Sequence, residues 1–295
     1  MATDSSDRER FERPEQLLDQ RTKKRLLRGV QGLVLLGLLV YVLFPLYWSV
    51  TSAFKTTAEL FQTPPAMIPQ APTLENFQRV MFDTIFPVWF MNSIIVSIMA
   101  TVLATGLAAL GGYGLTRANF GAKRSVARSI LFVYMFPPIL LALPLFVLFY
   151  QLDVLNSHIS LALAHTALAL PFAVWIMWQY FQTIPMSFEE SAWINGASRL
   201  RAIWDIVLPM AMPGLIAVAI INFSFSWNDY TMAVTLMTDS EMLTFPVGVN
   251  QFIQQTAVHW GLIQAATVYI MLPAFLLVLF LQKYLIIGFG ATDLE

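Results

Sequence analysis

The chain has 295 residues, of which 57% are hydrophobic and 12% are charged, and its formal net charge is -1. A soluble domain averages about 45–50% apolar and about 25% charged residues, so the composition excludes a water-soluble globular protein, and the charge balance excludes a generally basic nucleic-acid binder. The sequence contains no cysteine, which excludes disulfides, thiolate metal sites and cysteine catalysis.

Long runs without charge follow one another along the chain. A helix that crosses the bilayer needs about 20 mostly apolar residues, and each run is long enough. A closed β-barrel would instead need short alternating segments, which are not evident. We therefore predict an all-α, polytopic membrane protein with six transmembrane helices in one membrane domain, 29–287. The predicted spans are residues 29–54, 86–116, 128–151, 159–183, 209–236 and 261–284.

The distribution of lysine and arginine predicts the orientation. Of these 17 residues, 15 lie in the tail 1–28, in the two segments on the same side and, as Lys283, at the end of the last span, and only Lys55 and Arg79 lie on the other side. Positively charged residues stay on the cytoplasmic side. Both termini, with the tails 1–28 and 288–295, are therefore predicted to be cytoplasmic, and we call that side inner and the opposite side outer.

Three segments lie on the predicted outer side: 55–85, 152–158 and 238–260. In the first, apolar residues at helical spacing between Leu74 and Met81 predict a short amphipathic helix. The second is short enough for a tight turn. None of the three is long enough for a folded domain of its own.

Two features of the spans concern packing. Small residues recur every fourth position from Ala100 to Gly112 in the second span, a pattern that predicts close packing against another helix. Prolines inside or at the ends of the later spans remove backbone donors and predict kinks. These prolines are Pro137, Pro138, Pro144, Pro171, Pro213 and Pro273.

Catalytic and metal-binding motifs are not found. The sequence lacks G-x-x-x-x-G-K-[ST], H-E-x-x-H and G-x-S-x-G, and its three histidines are isolated. We therefore predict no catalytic residue and no metal site. Trp227, Asn228 and Asp229, near the outer end of the fifth span, are candidates for a solute path, with Asp229 as the acidic group. Asp229 has a second interpretation, a structural acid beside an aromatic belt, which we favour.

The segment between the fourth and fifth spans predicts a short helix outside the bilayer. Ser187 and Glu190 have the spacing of a capping box, and Gly196 is placed to end the helix in the left-handed conformation. The predicted helix covers 188–195, and a second helical stretch starts after Ser198 and runs to Leu208.

So short a helix is unstable alone in water and needs a surface to pack against. Phe188, Ala192 and Trp193 give it an apolar strip. The strip can pack against another protein or under the spans of this chain, and spacing alone does not decide between the two.

The same segment resembles the E-A-A-x3-G-x9-I-x-L-P signature of the membrane subunits of bacterial and archaeal ABC importers. Every spacing matches, and the one departure is a serine at the second position, where alanine is usual. The matching residues are Glu190, Ser191, Ala192, Gly196, Ile206, Leu208 and Pro209.

Weaker matches along most of the chain resemble the carbohydrate branch of that family, in particular the second permease subunit of maltose-type importers. The resemblance implies the type I architecture of ABC importers and a location in the cell (inner) membrane. These matches are Phe54-Lys55, Leu74 to Phe77, Asn92-Ser93, Gly112 to Gly114 with Arg117, Phe136 to Pro138 and Trp227 to Asp229.

The resemblance also implies partners and a mechanism. The short helix, about 187–196, is expected to be a coupling helix that docks on an ATP-binding subunit, with Ile206, Leu208 and Pro209 linking it to the fifth span. The implied complex contains a second permease subunit, two ATP-binding subunits and an extracytoplasmic sugar-binding protein that touches 55–85 and 238–260. ATP and Mg are expected on the ATPase, and this chain is expected to bind no cofactor and to be no enzyme.

Three alternatives stay open. The coupling signature is shared with importers of amino acids, osmolytes or phosphate esters, so the solute class depends on the weaker matches. A standalone secondary carrier predicts internal repeats and ionisable residues at mid-membrane, and neither is clear in the sequence. An intramembrane enzyme needs a paired catalytic constellation, which we do not find.

Overall fold

A computed structural model describes residues 14–119, 121–253 and 258–288 of the chain. Within these ranges the regular structure is helical, apart from one isolated β-bridge between Ile253 and Val258. The α-helices are α1 (Pro14–Ala53), α2 (Thr57–Leu60), α3 (Glu75–Phe82), α4 (Phe86–Arg117), α5 (Lys123–Tyr134), α6 (Pro138–Gln151), α7 (His158–Gln182), α8 (Ser187–Ile194), α9 (Arg199–Ala202), α10 (Leu208–Trp227), α11 (Thr231–Leu236), α12 (Phe245–Gly248) and α13 (Trp260–Gly288).

Five helical stretches in the described ranges are long and apolar enough to cross a membrane, and α5 with α6 forms a sixth, bent by 89°. The other five lie in α1, α4, α7, the continuous stretch Arg199–Trp227 and α13. The prediction of an all-α polytopic membrane protein is confirmed. Of the two predicted tails, only 14–28 and residue 288 belong to the described residues, and 14–28 continues α1 toward the inner side.

The break between α5 and α6 falls at Pro137 and Pro138, two of the predicted kink positions. Neither proline has a backbone N–H, so the helical hydrogen-bond ladder cannot pass this point. Pro144, Pro171 and Pro213, in contrast, lie inside continuous helices. A proline pair therefore interrupts the span where single prolines do not.

The fifth span differs from the prediction at both ends. It begins at α9 and continues through Ile203–Val207, a stretch of wider π-helical turns, into α10 without a stop before Pro209. The wider turn makes room for Pro209, which lacks a donor and would otherwise crowd the preceding turn. At its outer end the helix stops at Trp227, not at residue 236, and α11 follows as a separate short helix.

The predicted close packing of the second span is confirmed. Ala100, Ala104, Ala108 and Gly112 are all buried, and α4 packs along α7. At Gly112 the approach is so close that a Cβ atom would lie 2.7 Å from the Met177 Cβ atom. Glycine is needed there because a methyl group would collide with the facing helix.

Two apolar clusters form the interior. An outer core gathers Trp89, Phe86, Trp227 and their neighbours, and an inner core gathers Met177, Phe181 and theirs. Most of the apolar part of α1 lies outside both cores and is exposed; only its last residues, such as Ala53, are buried, and α1 packs mainly on α13.

The first outer segment is fastened by buried polar groups. The Lys55 ammonium, which is 1% exposed, donates to the Ala66 carbonyl at 2.6 Å and lies 4.2 Å from the centroid of the Trp48 ring. From α3, the predicted amphipathic helix, the amide of Asn76 donates to the carbonyls of Ala53 and Lys55. These bonds order the segment against the outer end of α1.

The last outer segment is folded down onto the outer end of α4. The Trp89 indole donates to the Ser240 carbonyl at 2.7 Å, and the Asn92 amide donates to the carbonyls of Glu241 and Leu243. The tip of this segment, residues 254–257, lies outside the described residues. The described part is thus tied to α4 by side-chain bonds to its backbone.

Candidate coupling site

The short inner helix forms as α8, but not through the predicted capping box. The helix already begins at Ser187, and the Glu190 N–H donates to the Met186 carbonyl at 3.1 Å. Ser187 is thus the first helical residue, and its side chain does not cap the helix. The prediction of the box was wrong because helical backbone extends one residue further toward Pro185 than the spacing suggested.

The end of α8 follows the prediction. Gly196 has a φ of +86°, the left-handed conformation that favours glycine. The N–H groups of Gly196 and Ala197 donate to the carbonyls of Trp193 and Ala192, which closes the helix. Ser198 then caps α9 by accepting from the Arg201 N–H at 3.2 Å. The chain therefore turns sharply between α8 and the helix that becomes the fifth span.

The surface of α8 is divided between an exposed and an inward side. Glu190, Ser191 and Asn195 are exposed, as are the apolar side chains of Phe188 and Ile194. Ala192 and Trp193 are half-buried, and the Trp193 ring lies 5.5 Å from the Arg199 guanidinium. The predicted strip is therefore split: its inward part packs on this chain, and Phe188 stays available to another protein.

Glu189 fastens α8 to the bundle. Its side chain is 0% exposed, and its two carboxylate oxygens accept from the Arg117 Nε at 2.6 Å and from the Tyr113 hydroxyl at 2.6 Å. Arg117 also donates to the Ile184 carbonyl at 3.0 Å. Charge-assisted bonds of this kind are short and strong. They tie the start of α8 and the segment just after α7 to the inner end of α4.

Sequence reasoning missed the role of Glu189, although a signal was present. Glu189 precedes Trp193 by four residues, so the two side chains lie on one helix face. Since Trp193 belongs to the apolar strip, a charge on that face needs a buried partner. Arg117, noted in the sequence only as part of the resemblance, supplies it.

The remaining residues of the signature lie on the helix that carries α8 into the membrane. Ile206 and Leu208 are half-buried and Pro209 is exposed. Because α9, the π-helical turns and α10 form one continuous helix, the turn after α8 leads directly into the fifth span.

The three candidates for a solute path are placed in different surroundings. The Trp227 indole is buried in the outer core against Phe90 and Phe245. Asn228 is exposed, and its amide donates to the Ser224 carbonyl. Asp229 accepts from the backbone N–H groups that begin α11, so it acts as a helix cap. Their role in a solute path stays a prediction.

Asp229 also holds a buried histidine. His165 is 1% exposed; its Nε2 lies 3.1 Å from an Asp229 carboxylate oxygen, and its Nδ1 lies 2.7 Å from the Ser226 hydroxyl. An ionised carboxylate only accepts, so Nε2 carries a proton, and in the neutral ring Nδ1 accepts from the serine. The three side chains link α7 to the point where α10 ends.

We expect Asp229→Ala to destabilise the protein more than Asp229→Asn. Alanine removes the cap of α11, which typically costs about 0.5–2 kcal/mol, and leaves His165 without its acceptor. Asparagine keeps an oxygen that can accept from the same donors. Thermal unfolding of the purified protein measures the order of the two variants. Complete loss of transport by Asp229→Asn with normal stability would instead place Asp229 in contact with the solute.

Residues 104–286 match the family of binding-protein-dependent transport system inner membrane components, and this range includes α7, α8, α10 and the sites described above. The chain belongs to this family. It is therefore a multi-pass membrane permease subunit of an ABC importer that works with a binding protein, and it is not an enzyme. The segment from α8 to Pro209, which carries the signature, therefore belongs to a protein of the family that the signature implied.

Relatives match nearly over their full length. The permease is 34% identical to the inner membrane ABC transporter permease protein YcjP of Escherichia coli, over 87% of this chain and 92% of that protein. It is 31% identical to the trehalose/maltose transport system permease protein MalG of Thermococcus litoralis, over 90% and 95%. It is 31% identical to the sulfoquinovosyl glycerol permease SmoH of Agrobacterium fabrum, over 88% and 90%.

The fold is also that of a solved importer. A chain from the crystal structure of a bacterial ABC transporter that imports the acidic polysaccharide alginate superposes with a TM-score of 0.77 and 22% identity. The match covers 88% of the permease and 97% of that chain. At this identity the likeness concerns the fold, and it agrees with the predicted architecture of an ABC importer.

Proposed function

We propose that the permease forms half of the translocation path of an ATP-driven sugar importer and that α8 is its coupling helix. The observation that carries the proposal is the construction of α8. A helix of 8 residues presents Glu190 and apolar side chains outward and is held from behind by Glu189. A helix this short does not persist without contacts on other surfaces, and its outward face is exposed among the described residues.

The proposed complex contains a second, different permease subunit, two ATP-binding subunits and an extracytoplasmic sugar-binding protein. ATP and Mg bind to the ATP-binding subunits, and the permease receives only their movement. The binding protein docks on the outer segments 55–85 and 238–260. The sugar assignment rests on the names of the relatives, which include trehalose, maltose and sulfoquinovosyl glycerol permeases.

The mechanism we infer is alternating access. The ATP-binding subunits have two arrangements, and docking of α8 gives each arrangement a different affinity for the inward- and outward-facing permease. Glu189 keeps α8 and the inner end of α4 together, so both move as one body. The continuous helix from Arg199 to Trp227 carries the same movement to the fifth span.

Reconstitution of the complex tests the proposal. The permease is tagged, co-expressed with its genomic neighbours, purified and placed in liposomes with ATP inside. We expect a second permease and an ATP-binding subunit to co-purify, and labelled trehalose or maltose to enter only with ATP and the binding protein. Uptake by the permease alone would identify a secondary carrier. ATP-dependent uptake of an amino acid or osmolyte, and of no sugar, would overturn the solute class.

A further inference from the structure

The interruption of the third span borders a cavity. Pro137 and Pro138 cannot donate to the carbonyls of Val133 and Tyr134, as a regular helix would require. The Val133 carbonyl accepts from the Phe136 N–H instead. The cavity of about 230 Å³ lies against these residues, the middle of α7 and Phe225 of α10.

The cavity lies at mid-membrane depth. Its lining residues Leu168 and Pro171 stand on both sides of the midpoint of α7, which runs from His158 to Gln182. Non-helical backbone at this depth is tolerated where it is buried in protein or lines a water-filled cavity. Discontinuous helices of this kind form the solute sites of many transporters.

A second interruption lies at a similar level. The contact between Asp229 and His165 places the end of α10 seven residues into α7, about 10 Å below its outer end at 1.5 Å per residue. Phe225 lines the cavity and its ring lies 6.2 Å from that of His165. The cavity is therefore bordered by the break of the third span and, through Phe225, by the last turn of α10.

Polar residues indicate that this side faces water and not lipid. Ser224 on α10 and Asn228, directly after its end, are exposed about one turn apart, and Phe225 lies beside them. An amide exposed to hydrocarbon is costly. The opposite face of this helix, with Ser226 and Trp227, is buried in the bundle.

The lining suits the apolar face of a sugar. Tyr134, Phe136 and Phe225 line the cavity, and the Tyr134 ring is held from outside the lining by a stack on Phe172, with centroids 5.1 Å apart. Sugar rings present C–H groups on one face, which pack on aromatic rings, and hydroxyls at the edge, which donate to carbonyls. Pockets for drug-sized ligands have about 300–1,000 Å³, so this smaller cavity fits one ring.

We propose that this cavity is a subsite for one sugar ring on the translocation path. Tyr134 and Phe225 form its aromatic walls, and the Tyr134 carbonyl, released by Pro138, accepts from a sugar hydroxyl. The inference rests on the proposed function, and it assigns solute contact to residues other than Trp227 and Asp229, which are occupied within the bundle.

Labelling of single cysteines tests whether the cavity is wet. The chain has no cysteine, so a single substitution places one thiol in this subunit. Ala167→Cys places it in the cavity lining. Ala109→Cys, the comparison, places it in the apolar groove between α4 and the fifth span. The reconstituted complex is treated with a sulfonated methanethiosulfonate, without nucleotide and after trapping with vanadate. The mass of this subunit reports the labelling rate.

We expect Ala167→Cys to be labelled about tenfold faster than Ala109→Cys in at least one state, and an excess of maltose or trehalose to slow its labelling. Equal, slow labelling would mean that the cavity faces lipid and would overturn the proposal. Suppose that the complex takes up maltose or trehalose but that an excess of the transported sugar does not slow the fast labelling. That result would overturn the sugar subsite. A complex that takes up no sugar would refute the proposed function, and the two labelling rates would still decide whether the cavity is wet.

A pair of substitutions at Tyr134 tests the aromatic wall. Tyr134→Ala removes the ring, and we expect the sugar concentration for half-maximal uptake to rise about tenfold, equivalent to about 1.4 kcal/mol. Tyr134→Phe keeps the ring, so we expect a smaller rise than in the alanine variant. Equal uptake by the alanine variant and the unsubstituted permease would overturn the role of the ring.

Discussion

Glu189→Gln is expected to lower the stability of the permease sharply. The glutamine keeps the shape of the side chain but leaves Arg117, 13% exposed, without its counter-charge. Breaking a buried ion pair by removing one partner costs roughly 3–5 kcal/mol. The thermal unfolding midpoint of the complex in detergent should fall, and uptake should fall with it, because α8 is no longer fixed to α4.

Glu190→Gln is the matched control, since it makes the same change at the neighbouring, exposed position. It should leave the unfolding midpoint almost unchanged. The double variant Glu189→Gln with Arg117→Met removes both charges and should recover part of the stability, because the remaining partner is no longer a buried unpaired charge. If Glu189→Gln is as stable as Glu190→Gln, the ion pair does not hold α8 in place.

Glu190→Lys is expected to abolish uptake while the permease still inserts and folds. Glu190 lies on the exposed side of α8, so the reversal changes the proposed docking surface and no contact inside the bundle. Removing one partner of an interfacial charge pair costs about 2–5 kcal/mol. We expect the affinity for the ATP-binding subunit to fall by about a hundredfold or more, measured by co-purification and by the sugar-dependent ATPase rate.

Gln182→Lys provides the comparison for Glu190→Lys. Gln182 is also exposed at the inner side, but it ends α7 and lies outside α8. A new positive charge there should leave both co-purification and uptake intact. Normal transport by Glu190→Lys would show that α8 does not dock through this residue.

The spans could be predicted because a single physical requirement, apolar length against bilayer thickness, determines them. The small-residue pattern of α4 predicted its packing for a similar reason: the repeat and the contact have the same spacing. The break of α10 at Asn228 was not predicted, although Asn228 and Asp229 interrupt the apolar run at this point. It depends on Asp229 accepting from the N–H groups of Met232 and Ala233, a local bond that hydropathy does not register.

The segment that contains α8 was likewise predictable only in part. Its position and its glycine end follow from local sequence, whereas the attachment through Glu189 depends on Arg117, which is 72 residues away in the chain. Contacts over such separations are set by how the helices pack. Two adjacent glutamates therefore look alike in the sequence and differ completely in the fold, one buried and one exposed.

The attachments at the two ends of α4 have a mechanical consequence. Near its outer end Trp89 and Asn92 hold the segment that follows the fifth span, and at its inner end Tyr113 and Arg117 hold α8. This one helix of 32 residues is about 48 Å long at 1.5 Å per residue. Pivoting about one end, such a lever swings its far end by about 4 Å for a tilt of about 5°. A modest push at the outer surface thus becomes a displacement of atomic size at the opposite surface, with no change in the shape of the lever itself.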